Sequence, residues 1–231
     1  MAVLYNPKTT SDGLLFAVDA ANTRSYPGSG TTFFDISKNG VNSLGYASNI
    51  SASNFTGEYV DLNGTDEEIG FRNITTTTNS FTAECWANWD DVGLNSGSVR
   101  VPFGFGAFFR LYLNGSGYLN FWVRETGQGA SSAVTDNISV TQANKWYHLV
   151  GTCQGGGSRK LYRNGELRNS DTISFNVDTG NGTNNLFIGN AYVGAPNYFD
   201  GKVAMARIYD RVLTDEEVFG NYNALKGRFG L

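Results

Sequence analysis

Along most of the chain, apolar and polar residues alternate in short runs, and a period of two marks strands with one buried face. The runs are Leu14–Val18, Glu58–Leu62, Phe81–Trp89, Val101–Leu113, Tyr118–Arg124, Trp146–Thr152, Lys160–Arg163, Leu186–Gly189 and Val203–Tyr209. All are rich in β-branched and aromatic residues, and Gly, Asn, Asp or Ser clusters separate them. Asn114-Gly115 and Asn164-Gly165 predict two-residue hairpins, because a type I′ turn needs positive φ at both central residues. A helical pattern occurs in one place. Thr214-Asp215-Glu216-Glu217 has the form of a capping box, Val218, Tyr222 and Leu225 then share a face, and Lys226-Gly227 is a stop signal. About ten strands and one helix, with no strand–helix alternation, predict an all-β sandwich or barrel.

No break in pattern divides the chain. Cutting within the polar, irregular stretch before Phe55 would leave strands on both sides without partners. The expectation is an N-terminal tail (1–12) and a single domain (13–231) that includes a polar arm (19–55) and a C-terminal helix (214–226).

Composition agrees with this pattern. The 231 residues include 29 glycines, with 16% charged and 14% aromatic residues, as expected for short strands joined by tight turns. A net charge of −4 argues against a nucleic-acid partner, since phosphate binding depends on clustered Lys and Arg. No run of about 18 apolar residues is present to cross a bilayer, and Met1–Thr10 lacks the layout of a signal peptide. Seven Asn-x-Ser/Thr triplets, at Asn49, Asn54, Asn63, Asn73, Asn114, Asn137 and Asn181, would matter only on a secretory route. Cys85 and Cys153 lie among apolar neighbours and read as reduced core thiols, with a disulfide as the alternative.

The order of several short signatures resembles the laminin-G/pentraxin-like branch of the concanavalin A-like jelly rolls. They are Gly57-Glu58-Tyr59-Val60-Asp61-Leu62, Ser80-Phe81-Thr82-Ala83-Glu84-Cys85-Trp86, Lys145-Trp146-Tyr147-His148-Leu149-Val150 followed by Leu161–Leu167, and Phe199-Asp200-Gly201-Lys202-Val203. The opening Gly13–Asn22 and the ending Asn221–Leu231 are similar to laminin-G-like virion proteins of tailed phages, especially marine and cyanobacterial ones. Ala204-Met205 stands where the cellular branch carries acids, which favours the viral branch. The resemblance implies a concanavalin A-like jelly-roll sandwich of two antiparallel sheets with one short C-terminal helix.

Glycanases of this fold carry paired carboxylates as Glu-x-Asp-x-x-Glu on one strand, a pattern missing here. On Phe81–Trp89 the one acid is Glu84, whose same-face neighbours are Thr82, Trp86 and Asn88. His148 is the single histidine and reads as a hydrogen-bonded structural residue. The chain is therefore expected not to be an enzyme. Sugar sites combine an aromatic platform with polar loop groups, and Trp86, Trp122, Tyr112 and Tyr192 are the glycan-binding candidates. The competing role for each is filling the core. Relatives hold a calcium ion through loop oxygens, which the resemblance carries to the strand-end residues Asp200, Asp19 and Asp61, Asp200 first. The alternative is that no cofactor is bound.

The first functional expectation is a virion structural protein: a capsid decoration, appendage or tail-associated module. It would contact capsid or tail proteins and copies of itself, forming a homo-oligomer on the particle, with no nucleic acid and no membrane insertion. The polar arm and Phe229-Gly230-Leu231 would attach it. The second is a carbohydrate-binding adhesin for host surface polysaccharide, and a glycoside hydrolase stands third.

Overall fold

The computed structural model describes residues 8–40, 49–72, 74, 79–92, 99–106, 108–125, 129–177, 185–191 and 197–231. Its strands are β1 (Leu14–Asp19), β2 (Val60–Asn63), β3 (Ile69–Phe71), β4 (Ser80–Trp89), β5 (Arg100–Phe105), β6 (Phe109–Leu113), β7 (Leu119–Arg124), β8 (Ser131–Thr135), β9 (Trp146–Gln154), β10 (Ser158–Arg163), β11 (Glu166–Thr172), β12 (Leu186–Ile188) and β13 (Asp200–Tyr209). Helix α1 (Asp215–Leu225) runs into a 3-10 turn, Lys226–Phe229.

The strands form two antiparallel sheets. One has the order β1-β13-β4-β9-β10-β11, with β2 also pairing β13, and the other the order β3-β12-β5-β6-β7-β8. Short hairpins build the β5-to-β8 and β9-to-β11 meanders. β12 and β13 return by long connections to lie between earlier strands, which makes the sandwich a jelly roll.

Alternation decides what lies between the sheets. Phe81, Ala83, Cys85, Ala87 and Trp89 of β4 face Phe109 and Leu111 of β6 and Phe121 of β7 in one continuous core. Phe81 meets Phe109 and Phe121 with ring centroids 5.4 and 5.9 Å apart. Gly151 of β9 makes room for this: a Cβ there would lie 2.4 Å from the Phe121 ring. Cys85 and Cys153 are unbonded and buried in the same layer. Burial pushes the Cys153 thiol up to about 12.

Several expectations hold and several shift. Asn164 and Gly165 have φ of 55° and 77°, the double positive pair of a type I′ turn between β10 and β11. The β6–β7 hairpin exists, but its turn is longer than Asn114-Gly115. Gly117 takes the positive φ, and the Asn114 side chain accepts from the amides of Ser116 and Tyr118. The run Val101–Leu113 divides into β5 and β6, because Gly106 at φ 48° turns the chain back on itself. β3 and β8 were not expected as strands; each is short and has little alternation of its own.

The polar arm is partly core. Tyr26 stacks on Phe55 at 4.3 Å, Phe33 is fully buried, and Asp35 accepts from the Ala17 amide. α1 is capped as expected, with the Glu217 amide donating to Thr214 Oγ1 and the Thr214 amide to Glu217 Oε2. Val218 and Asn221 are its buried residues, and Tyr222 and Leu225 pack beside Trp86.

Candidate functional site

A jelly roll has two outer sheet faces on which it can present chemistry, and here they differ. The outer face of the seven-stranded sheet carries Glu84 and Trp86 of β4, His148 of β9 and Tyr209 of β13, and α1 closes over it. Glu84 is completely buried. Its Oε1 lies 2.9 Å from His148 Nε2 and 3.5 Å from the Arg207 guanidinium. Its Oε2 accepts from Asn221 Nδ2 at 2.9 Å and lies 3.1 Å from the Tyr209 hydroxyl. Asn221 in turn accepts from the Thr10 amide at 2.7 Å, so the helix ties the N-terminal segment to this network.

Burial alone would push the Glu84 carboxyl up. The charge of Arg207 and the His148 hydrogen bond outweigh it and hold the group below its ordinary value. The ionised Glu84 therefore makes His148 Nε2 the donor, and the histidine is structural, as its place on the strand suggested. A single carboxylate shut away from water cannot serve as both the acid and the nucleophile or base of glycoside hydrolysis.

Trp86 belongs to this closed face. It has no exposed surface: Phe229 stacks on it with ring centroids 4.1 Å apart, and Tyr222 and His148 flank it at 5.9 and 5.0 Å. No sugar can reach its ring, so the expectation of Trp86 as a platform is corrected by the helix that covers it. Phe229 is likewise occupied within the domain and is not free to attach to a partner.

The outer face of the six-stranded sheet is open over β6, β7 and β8. Phe109, Leu111 and Leu113 of β6 and Leu119, Phe121 and Val123 of β7 point into the core, which turns Arg110, Tyr112, Asn120, Trp122 and Arg124 outward. Arg110 is directly opposite Trp122, and Tyr112 opposite Asn120. Tyr112, Trp122, Arg110 and Arg124 are all partly exposed. The Arg110 guanidinium sits 4.8 Å above the Trp122 ring. Asn120 is fixed beneath them, donating to the Tyr118 carbonyl and accepting from Thr135 Oγ1. Further across the sheet the face is covered, with Ala191 lying on Gly104. The structure thus brings together two of the expected glycan candidates, Tyr112 and Trp122. The fourth, Tyr192, lies outside the described residues.

Two arginines went unrecognised as part of this site. Arg110-x-Tyr112 and Trp122-x-Arg124 carry the signal, since residues two apart on a strand share a face.

Two rim features complete the survey. A cavity of about 320 Å³ is lined by Gln142, Lys145, Trp146, Arg163, Asn164 and Arg168, among others. Its arginines are already engaged, since the buried Asp136 carboxylate lies 3.3 Å from Arg163 and 3.2 Å from Arg168. At the other rim, Asp61, Glu67, Asp90 and Asp200 line one cleft.

Burial and mutual repulsion push Asp61 and Asp200 up, and the Lys202 ammonium supplies the cleft's positive charge, bonded to Asp90 and 3.9 Å from Asp61. Asp19 takes no part there, because its carboxylate binds Arg228 at 2.7 Å and the Ala21 amide at 3.0 Å. Among the described residues, no three His, Cys, Asp or Glu side chains are placed to share a metal ion. Of the three residues expected to hold calcium, Asp61 and Asp200 thus share a cleft and Asp19 lies apart from them.

A laminin-G family profile, described as the concanavalin A-like lectin/glucanases superfamily, matches residues 63–219. The chain belongs to this superfamily. Among solved structures, this superfamily member resembles the ligand-binding domain of botulinum neurotoxin serotype D in complex with N-acetylneuraminic acid, at 15% identity and TM-score 0.67, covering 92% of this chain and 51% of that one. The receptor-binding domain of the botulinum neurotoxin C/D mosaic serotype is similar at 14% identity and TM-score 0.66, covering 93% and 52%. The binding domain of Paraclostridial Mosquitocidal Protein 1 is similar at 17% identity and TM-score 0.65, covering 92% and 52%. The chain spans about half the length of these structures, and at such identities the likeness is one of fold. No curated protein matches it significantly. No helix among the described residues is long and apolar enough to cross a membrane.

Proposed function

We propose that this lectin-like jelly roll is a non-catalytic recognition module that binds carbohydrate on the open face of its six-stranded sheet. One observation carries the reading: Trp122 and Tyr112 stand on adjacent strands, partly exposed, on a face that no helix among the described residues covers. Aromatic rings pack on the C–H faces of sugars, and rings held by sheet register need no ordering on binding. The closed opposite face, with its one buried acid, supports binding over hydrolysis. The neighbours described as ligand-binding and receptor-binding domains support the same direction.

The setting we propose is the surface of a tailed-phage particle, where the module would sit among capsid or tail proteins and touch host polysaccharide. Support for this comes from the similarity of the Gly13–Asn22 and Asn221–Leu231 segments to virion proteins of that kind. A glycan array tests the binding function: the wild-type chain gives positive spots, and Trp122→Ala and Tyr112→Ala remove them while Trp146→Ala does not. An array blank for the wild type contradicts it. Labelling purified particles with an antibody to the chain tests the setting, and unlabelled particles contradict it.

A further inference from the structure

We infer that the open face selects carboxylate-bearing polysaccharides, with Arg110 as the residue that reads the charge. This rests on the carbohydrate-binding reading above and adds the ligand's chemical class.

Arg110 differs from seven of the chain's other arginines in what surrounds it. Arg100, Arg159, Arg163, Arg168, Arg207, Arg211 and Arg228 each have a carboxylate oxygen within 4 Å. Among the described residues no carboxylate oxygen is recorded within 4 Å of Arg110, and its Nε has no hydrogen-bond partner. Its Nε is buried without an acceptor, an arrangement that ordinarily costs stability. Burial lowers the pKa of this guanidinium, the charge of Arg124 lowers it further, and only Tyr112 acts the other way. Among the described residues, then, no carboxylate acts on Arg110, in a protein of net charge −4. A cation with no carboxylate beside it among the described residues is complementary to an anion brought by a ligand.

The geometry narrows the anion. The Arg110 guanidinium, 4.8 Å above the Trp122 ring, brings a planar fork of N–H donors to the aromatic pair. A planar carboxylate can meet such a fork with two parallel hydrogen bonds, while the attached sugar ring packs against the neighbouring Tyr112. A uronic-acid polymer offers both features at every residue.

The test measures binding of the full chain to immobilised polygalacturonate, dextran sulfate and neutral dextran. Polygalacturonate should bind about tenfold or more tightly than neutral dextran, the contribution expected of a charged hydrogen-bond pair. Arg110→Gln should erase that preference, and Arg110→Lys should restore only part of it, because the charge returns without the fork. Arg110's one recorded contact is the Trp122 ring, so both variants should stay folded, with a melting temperature within a few degrees of the wild type. The inference is overturned if Arg110→Gln retains the preference, if neutral dextran binds equally well, or if only the sulfated polymer binds. Equal binding of charged and neutral polymers that Trp122→Ala abolishes would sink this inference and leave the carbohydrate reading standing. Binding of no polymer by the wild type would sink both.

Discussion

At the residue scale, Trp86 and Trp122 show what alternation reveals and what it hides. Both stand at outward positions of their strands, and the period of two said only which residues share a face with each. It could not say which outer face the C-terminal helix would cover, since that depends on Glu84 meeting Asn221 and Phe229 meeting Trp86, contacts more than 130 residues apart in sequence. The strand-end acids were equally opaque, because Asp61 and Asp200 come together only through the register of β2 on β13. Asn164-Gly165, by contrast, is a local event and was fully legible.

Two predictions belong at this scale. Gly151→Ala forces a Cβ against the Phe121 ring and should cost about 1–3 kcal/mol, read as a lower urea midpoint. Glu84→Leu strands Arg207 and His148 without their anion and should cost about 3–5 kcal/mol by the same measurement. An unchanged midpoint in either variant contradicts the packing or the network described.

At the element scale, α1 is the decisive piece, because it converts one sheet face from surface into interior. Its capping box and apolar spacing were visible in the sequence; its polar anchors were not. Asp215 accepts from Lys160 and Tyr162 at 2.7 Å each, and Glu217 pairs with Arg211. Hydrogen bonds from Lys160 and Tyr162 hold the Asp215 carboxyl below its ordinary value, and the bond from Arg211 does the same for Glu217. Glu84 is depressed as well.

A depressed folded-state pKa stabilises above the unfolded value, about 4 for carboxyls, and that stability is lost as pH falls through the folded value. Acid should therefore loosen the helix first. Tryptophan emission should shift to the red below about pH 4 as Trp86 meets water, and constant emission down to global unfolding would contradict this. Thr214→Ala should cost about 1 kcal/mol and make the same shift occur at higher pH.

At the scale of the whole molecule, the fold separates two duties between two sheets. The seven-stranded sheet is closed by helix, terminal segment and a buried ionic network, and it supplies stability. The six-stranded sheet leaves part of its outer face open, with two aromatics and two arginines aligned by register. Strand count, hairpins and the single helix were readable because they rest on local periodicity and turn chemistry. The division of labour was not, because it is a property of which surfaces meet. Hydrogen exchange measured by mass spectrometry, with and without a polygalacturonate oligosaccharide, tests this division most directly. Added protection should be concentrated in β6 and β7, over Phe109–Leu113 and Leu119–Arg124, with β4 and β9 unchanged. Protection appearing instead at the Trp146 rim, or only across the helix-covered face, would contradict the account.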